Sequence, residues 1–152
     1  MVVIVIIMIL VGIVIGASKY AHTKAATSRA QAETAMMENA LESYKSDNGI
    51  YPPSDVASIN RGAAIGNAKN DSISLYAALA LGPKVYMTFK PEQTRVDQVT
   101  GKTYIIDPFG APYNYYCHPI ANDQKNSVTF DLWSYGPDGQ NGTPDDITNW
   151  QQ

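Results

Sequence analysis

Residues 134–147 read S-Y-G-P-D-G-Q-N-G-T-P-D-D-I, with three aspartates, three glycines and two prolines. Gly, Pro, Asn and Asp commonly make turns in water. Carboxylates held this close together repel one another unless something positive lies between them. Calcium is the cation such a loop suits, because it takes six to eight hard oxygens in flexible geometry. Asp138 and Asp145 are seven residues apart, and Gly139 and Gly142 let the chain fold back so that both face inward. Asp146 adds a third carboxylate, and backbone carbonyls can supply the remaining oxygens. The spacing is not that of an EF-hand, which needs alternating acidic positions and a distal Glu. On the residues alone, a solvated acidic turn and a calcium loop both stand.

Other chemistry is sparse. Cys117 is the one cysteine, so no internal disulfide can form, and it reads as a small buried hydrophobe. His22 and His118 are isolated and lack the spacing of a transition-metal site. They read as ordinary, partly exposed residues. There is no nucleophile elbow, phosphate-binding loop or dinucleotide fingerprint. An enzyme is therefore the poorer hypothesis. A net charge of -3 gives no electrostatic footprint for nucleic acid.

The elements that position the loop begin with a helix of two characters. Residues 1–18 carry no charge. Their length suits a membrane span, which needs roughly 17–25 apolar residues. It exceeds the usual strand despite the dense Val and Ile. The run also lacks the basic start of a signal peptide. Residues 19–49 continue without Pro until Gly49 and favour helix. Ala26, Ala30, Glu33, Met37, Leu41 and Tyr44 form a stripe at three- and four-residue steps, apolar but for one member. Lys19, Lys24, Arg29 and Lys45 balance Glu33, Glu38, Glu42 and Asp47 on the remaining face. Asp47-Asn48-Gly49 ends the helix and Pro52-Pro53 prevents a restart. One helix of about 70 Å follows at 1.5 Å per residue. Taken alone, Lys19, Lys24 and Arg29 would place this flank in the cytoplasm, but only one flank is available to weigh.

Residues 50–152 read as a small α+β head. Residues 54–70 look like a loop. Asp71-Ser72 are expected to cap a helix over 73–81, stopped by Gly82-Pro83. Extended segments are expected over 85–89, 102–106, 113–117 and 128–134. Turns are expected over 107–112, D-P-F-G-A-P, and over 122–126.

The order of parts carries a resemblance. A long apolar helix is followed by L-E-S-Y-K-S-D-N-G-I-Y-P-P, D-P-F-G-A-P-Y-N-Y, F-D-L-W-S-Y-G-P-D-G and D-D-I-T-N-W. This resembles the major pseudopilin of type II secretion systems, the general secretion pathway protein G family. The likeness covers residues 1–53 and 107–150, whereas residues 54–106 diverge. It implies a pilin-like α+β lollipop, a long helix packed on a small antiparallel sheet with a C-terminal calcium loop. It also implies a structural role rather than catalysis. Copies would assemble through their N-terminal helices into a helical filament that helps move folded proteins across the outer membrane. Expected partners are other copies, sister pseudopilins, inner-membrane secretion components and, before assembly, membrane lipid. The expected location is the inner membrane, as a single span with the head in the periplasm. Gly12 and Gly16 form a G-x-x-x-G that permits close helix approach, or are incidental in a membrane helix.

By position, the family's calcium loop carries over to the carboxylates of Asp138, Asp145 and Asp146. Carbonyls near Tyr135, Gln140 and Thr143 are the expected further ligands. A metal clip would do the work that a disulfide does in type IV pilins, for which Cys117 has no partner. The family's basic leader, cleavage site, methylated N-terminal residue and following Glu have no counterpart before Met1. The sequence is therefore expected to begin inside the family's apolar core. A type IV pilin subunit for adhesion or DNA uptake is the alternative.

Overall fold

No proline interrupts residues 2–48, and they form one helix, α1, Val2–Asn48. The computed structural model describes residues 2–54, 68–117 and 124–150, with the side chains of residues 2–18 and 68 left outside the description. α1 stops where expected. Gly49 adopts φ +79° and its N–H donates to the Lys45 carbonyl at 2.7 Å, a left-handed stop that glycine makes at little cost. Residues 19–25 of α1 are exposed, and Ala30, Met37 and Leu41 are fully buried. Ala26 and Tyr44 at the ends of the stripe are half-buried. Glu33 belongs to the buried stripe and not to the charged face. Among the described residues no helix is long and apolar enough to cross a membrane. The expected span, residues 1–18, and the pair Gly12 and Gly16 fall on side chains outside the description.

Among the described residues, five short strands follow a second helix, α2, Ala68–Ala80. β1 (Thr94–Val96) pairs antiparallel with β2 (Thr103–Ile105), and β3 (Asn114–Tyr116), β4 (Asp131–Ser134) and β5 (Ile147–Thr148) form an antiparallel sheet in that order. A bridge from Ile106 to Pro112 closes the turn between β2 and β3. The core lies between the stripe of α1, the inner face of α2 and the strands. Met37, Leu41, Leu75, Leu79, Ile105, Tyr113, Tyr115, Phe130 and Leu132 meet there, with Tyr51 folded over Phe130 at 4.9 Å between ring centroids. The head is thus α+β, a long helix carrying small antiparallel sheets.

Three local expectations are corrected. α2 begins at Ala68, which places Asp71 inside its first turn, so Asp71-Ser72 do not mark the helix start. The Ser72 hydroxyl instead faces β2, donating to the Ile105 carbonyl at 2.7 Å and accepting from the Ile105 N–H at 2.8 Å. Residues 85–89 form no strand, because the N–H groups of Tyr86 and Met87 both turn back to the Leu79 carbonyl at the end of α2. A hydrogen bond turned onto the helix end leaves no ladder to join. Residues 68–70 are helix rather than loop, while 55–67 lie outside the described residues. So do His118 and part of the turn over 122–126. β1 and β5 were not anticipated.

Candidate functional site

The acidic loop connects β4 to β5, so two paired strands hold its ends. The turn over 107–112 supports its first limb. The Asp107 carboxylate accepts from the N–H groups of Phe109 (3.0 Å) and Ala111 (2.9 Å) and from the Ser134 hydroxyl (2.6 Å). Ser134 Oγ also accepts from the Gly136 N–H at 3.1 Å, so the D-P-F-G turn and the loop entrance share one buried hydroxyl. Burial pushes the Asp107 carboxyl above the ordinary carboxylate range, against these donors.

Within the loop the oxygens gather on Thr143. Its hydroxyl donates to Asp145 Oδ1 at 2.6 Å. Asp138 Oδ1 at 3.3 Å, Asp146 Oδ1 at 3.4 Å and the Gln140 carbonyl at 3.2 Å surround the same oxygen. A hydroxyl has one proton to donate, so four acceptors exceed what it can satisfy. Backbone N–H groups relieve part of the charge. Gln140 donates to Asp138 Oδ1 (2.8 Å), Asp138 to Asp145 Oδ2 (3.1 Å) and Gly142 to Asp146 Oδ2 (2.8 Å). The Thr143 hydroxyl, with the Asp138 N–H behind it, holds the Asp145 carboxyl below the usual carboxylate range.

The three predicted carboxylates, the Gln140 carbonyl and Thr143 therefore come together. The Tyr135 phenol feels the charge of Asp146 from outside this group. Its half-buried side chain neighbours Asn114, and burial pushes its phenol up. The donor set is all hard oxygen, which fits calcium. However, no three His, Cys, Asp or Glu side chains among the described residues are close enough to hold a metal unaided. Carbonyls and the hydroxyl have to complete any such shell.

Three features around the loop were not read from sequence. Gly136 sits at φ +67°, and a Cβ there would lie 2.2 Å from the Asp145 carbonyl oxygen. The two limbs of the loop thus meet backbone to backbone at this glycine. Asn141 accepts from Trp133 Nε1 at 3.0 Å, and the Trp133 ring meets Trp150 edge-on at 5.5 Å. Asn149 closes the segment on β4: its Oδ1 accepts from the Leu132 N–H, its N–H donates to the Leu132 carbonyl, and its Nδ2 donates to the Phe130 carbonyl. The closing N-W pair was the available signal for this clasp.

A second constellation lies where α1 meets the head. The buried Glu33 carboxylate accepts from Arg29 Nε (2.8 Å) and Gln93 Nε2 (3.0 Å) at Oε1, and from the Tyr113 hydroxyl (2.9 Å) at Oε2. A buried carboxylate is tolerable when its lone pairs are met in this way. It opens beside a cleft of about 440 Å³ lined by Met36, Met87, Lys90 and Glu92. The arrangement joins helix to head.

Comparison with known proteins identifies the family. The family model described as type II secretion system (T2SS), protein G, matches residues 78–150, from within α2 through the acidic loop to Trp150. The type II secretion system core protein G of Escherichia coli (strain K12) is 34% identical over 150 residues, covering 99% of this chain and 85% of that protein. The chain belongs to the type II secretion system protein G family. The core protein G of Aeromonas hydrophila is 31% identical over 150 residues, covering 99% of this chain and 86% of its own length. The major pseudopilin from the type 2 secretion system of enterohaemorrhagic Escherichia coli, solved as a crystal structure, aligns with a TM-score of 0.44 at 22% identity, covering 84% of this chain and 88% of that one. The resemblance read from the sequence motifs is therefore met. The major pseudopilin role expected of the chain is that of a protein G family member, a structural part of type II secretion.

Proposed function

We propose that the chain is a filament subunit of the type II secretion pseudopilus, helping folded proteins across the outer membrane. The observation that carries this reading is the partition of α1. It is one helix from Val2 to Asn48, and among its described side chains residues 19–25 are exposed while burial against the head begins near Ala30. The apolar part of the sequence precedes that contact, on the same helix. Such a stem has two favourable surroundings, lipid or the stems of other copies, and filament growth moves it from the first to the second. Before assembly it would stand in the inner membrane as a single span with the head in the periplasm. Sister pseudopilins and inner-membrane secretion components would be its further partners. Methylation of a processed N-terminus, as in the family, belongs to the same proposal.

The test is genetic and structural together. In the producing cell, deleting the chain should stop release of secreted proteins, and restoring it should recover both release and filaments. Undiminished release from the deletion strain would overturn the role.

We further propose that the acidic loop takes Ca²⁺. Asp138, Asp145 and Asp146 would supply carboxylate oxygens, and Gln140, Thr143 and Tyr135 backbone carbonyls. The ion would neutralise the crowded carboxylates and hold β5 against β4. What supports this is the excess of acceptors around the Thr143 hydroxyl. A ligand present at a hundredfold its Kd stabilises by about 2.7 kcal/mol. For the full chain in detergent this predicts a melting temperature about 5–10 °C higher in calcium than in chelator. D145N/D146N should remove the difference. Identical melts in calcium and chelator would leave the loop a solvated turn.

A further inference from the structure

The hairpin of β1 and β2 ends the head on one side. Its register pairs Thr94 with Ile105, Arg95 with Tyr104 and Val96 with Thr103. The flanking bonds fix which groups face inward. Asp97 N–H donates to the Lys102 carbonyl at 2.8 Å, and Ile106 N–H donates to the Gln93 carbonyl at 2.9 Å. Antiparallel pairs alternate between bonded and non-bonded positions, so Arg95 bonds toward β2. The backbone groups of Thr94 and Val96 then point away from it. On β2 the matching outward groups of Ile105 are taken by Ser72 and Tyr113. On β1 no other strand covers them among the described residues.

Side chains of the strand and of the turn that follows it cover the carbonyls. Arg95 Nη1 donates to the Thr94 carbonyl at 3.0 Å, and Gln98 Nε2 donates to the Val96 carbonyl at 3.4 Å. The hairpin loop is held in place behind them. The Asp97 carboxylate accepts from the Thr100 N–H and hydroxyl and from Lys69. Val96 is 53% exposed and Val99 91%, so this edge also shows apolar surface. Outward bonding groups beside bare valines are what an edge offers to another strand, and the three-residue length of β1 is itself one limit on such pairing.

We propose that β1 is a guarded edge, on which Arg95 and Gln98 prevent pairing with the β1 of a second copy. A second copy is the occupant the edge itself selects. Two β1 strands laid antiparallel about Arg95 would set Thr94 opposite Val96 of the other copy, each with its outward N–H and carbonyl facing the same groups. Arg95 would then stand directly opposite Arg95. Like charges in that position oppose pairing. Arg95 thus acts twice, capping a carbonyl and placing a charge at the symmetry point. The consequence for assembly rests on the filament reading. Stems that gather copies raise the local concentration of heads. A two-fold strand pairing closes on itself, whereas a filament needs contacts that repeat.

The experiment compares the full wild-type chain with R95T/Q98A in detergent, over a range of protein concentrations. Hydrogen exchange is read at the Thr94 and Val96 amides alongside sedimentation. Both replaced side chains are exposed, and core amides such as Leu132 serve as the folding control. The variant should slow exchange of those two amides at least tenfold as concentration rises, with a matching dimer, and the wild type should not. Absence of concentration-dependent protection in the variant would overturn the proposal. So would association that leaves both amides exchanging freely. Loss of the secretion role would be seen in the deletion strain and would leave this result unaffected.

Discussion

At the scale of single residues, the loop depends on a position that carries no functional group. Gly136 is buried, left-handed and within 2.2 Å, measured from an added Cβ, of the Asp145 carbonyl oxygen. The contact is backbone, so no side-chain rotation can relieve it. Gly136→Ala should cost more than about 2 kcal/mol through strain and overpacking together. A thermal melt checks this, with Gly139→Ala as the comparison. Gly139 also has positive φ but open space around it, so its loss should be smaller. Equal losses at both would mean that φ alone, and not the close approach of the limbs, decides the cost.

At the scale of elements, α1 is held to the head by apolar contact and by one buried polar knot, and the two can be separated. Leu41 is fully buried in the core, so Leu41→Ala should lose about 2–5 kcal/mol. Tyr113→Phe keeps the ring and removes only the hydroxyl that Glu33 accepts from, for a loss of about 1–3 kcal/mol. Denaturant unfolding of both variants should rank them in that order. The reverse order would make the polar knot the main fastening. The stripe on α1 was legible because its three- and four-residue steps, free of Pro, leave one interpretation. β3 and β4 were legible from their aromatic and β-branched runs. β1 and β5 were not, since Thr-Arg-Val and Ile-Thr are too short to show alternation and are strands only through their partners. The region 85–89 misled for the opposite reason. Its composition suits a strand, but its amides cap α2. In the loop, Asp138, Asp145 and Asp146 announced themselves by charge. Gly136, Asn141 and Asn149 did not, because their roles are set by what lies across the fold.

At the scale of the whole molecule, the chain has a head that folds around the second part of a helix whose first part is apolar. On the proposed filament reading the two parts answer to different solvents, and a change in one should spare the other. Ile9→Arg places a charge near the middle of residues 1–18. On membrane-insertion scales that costs about 2.5–3.5 kcal/mol at a helix centre. It should abolish filaments and secretion while leaving the melt of the head unchanged. A head melt that falls with this variant would mean the apolar run packs on the head, and the stem reading would fail.

The indole pair beside the loop has a consequence of another kind. Trp133 and Trp150 are the only tryptophans in the chain, and they meet edge-on with Asn141 of the loop bonded to one of them. Light absorbed near 295 nm is therefore taken up almost wholly at one corner of the molecule. The emission spectrum is a local gauge, blind to the stem and sensitive to whether the last strand is seated. Comparing it with circular dichroism, which the long helix dominates, would separate opening of the C-terminal clasp from unfolding of the rest without attaching any label.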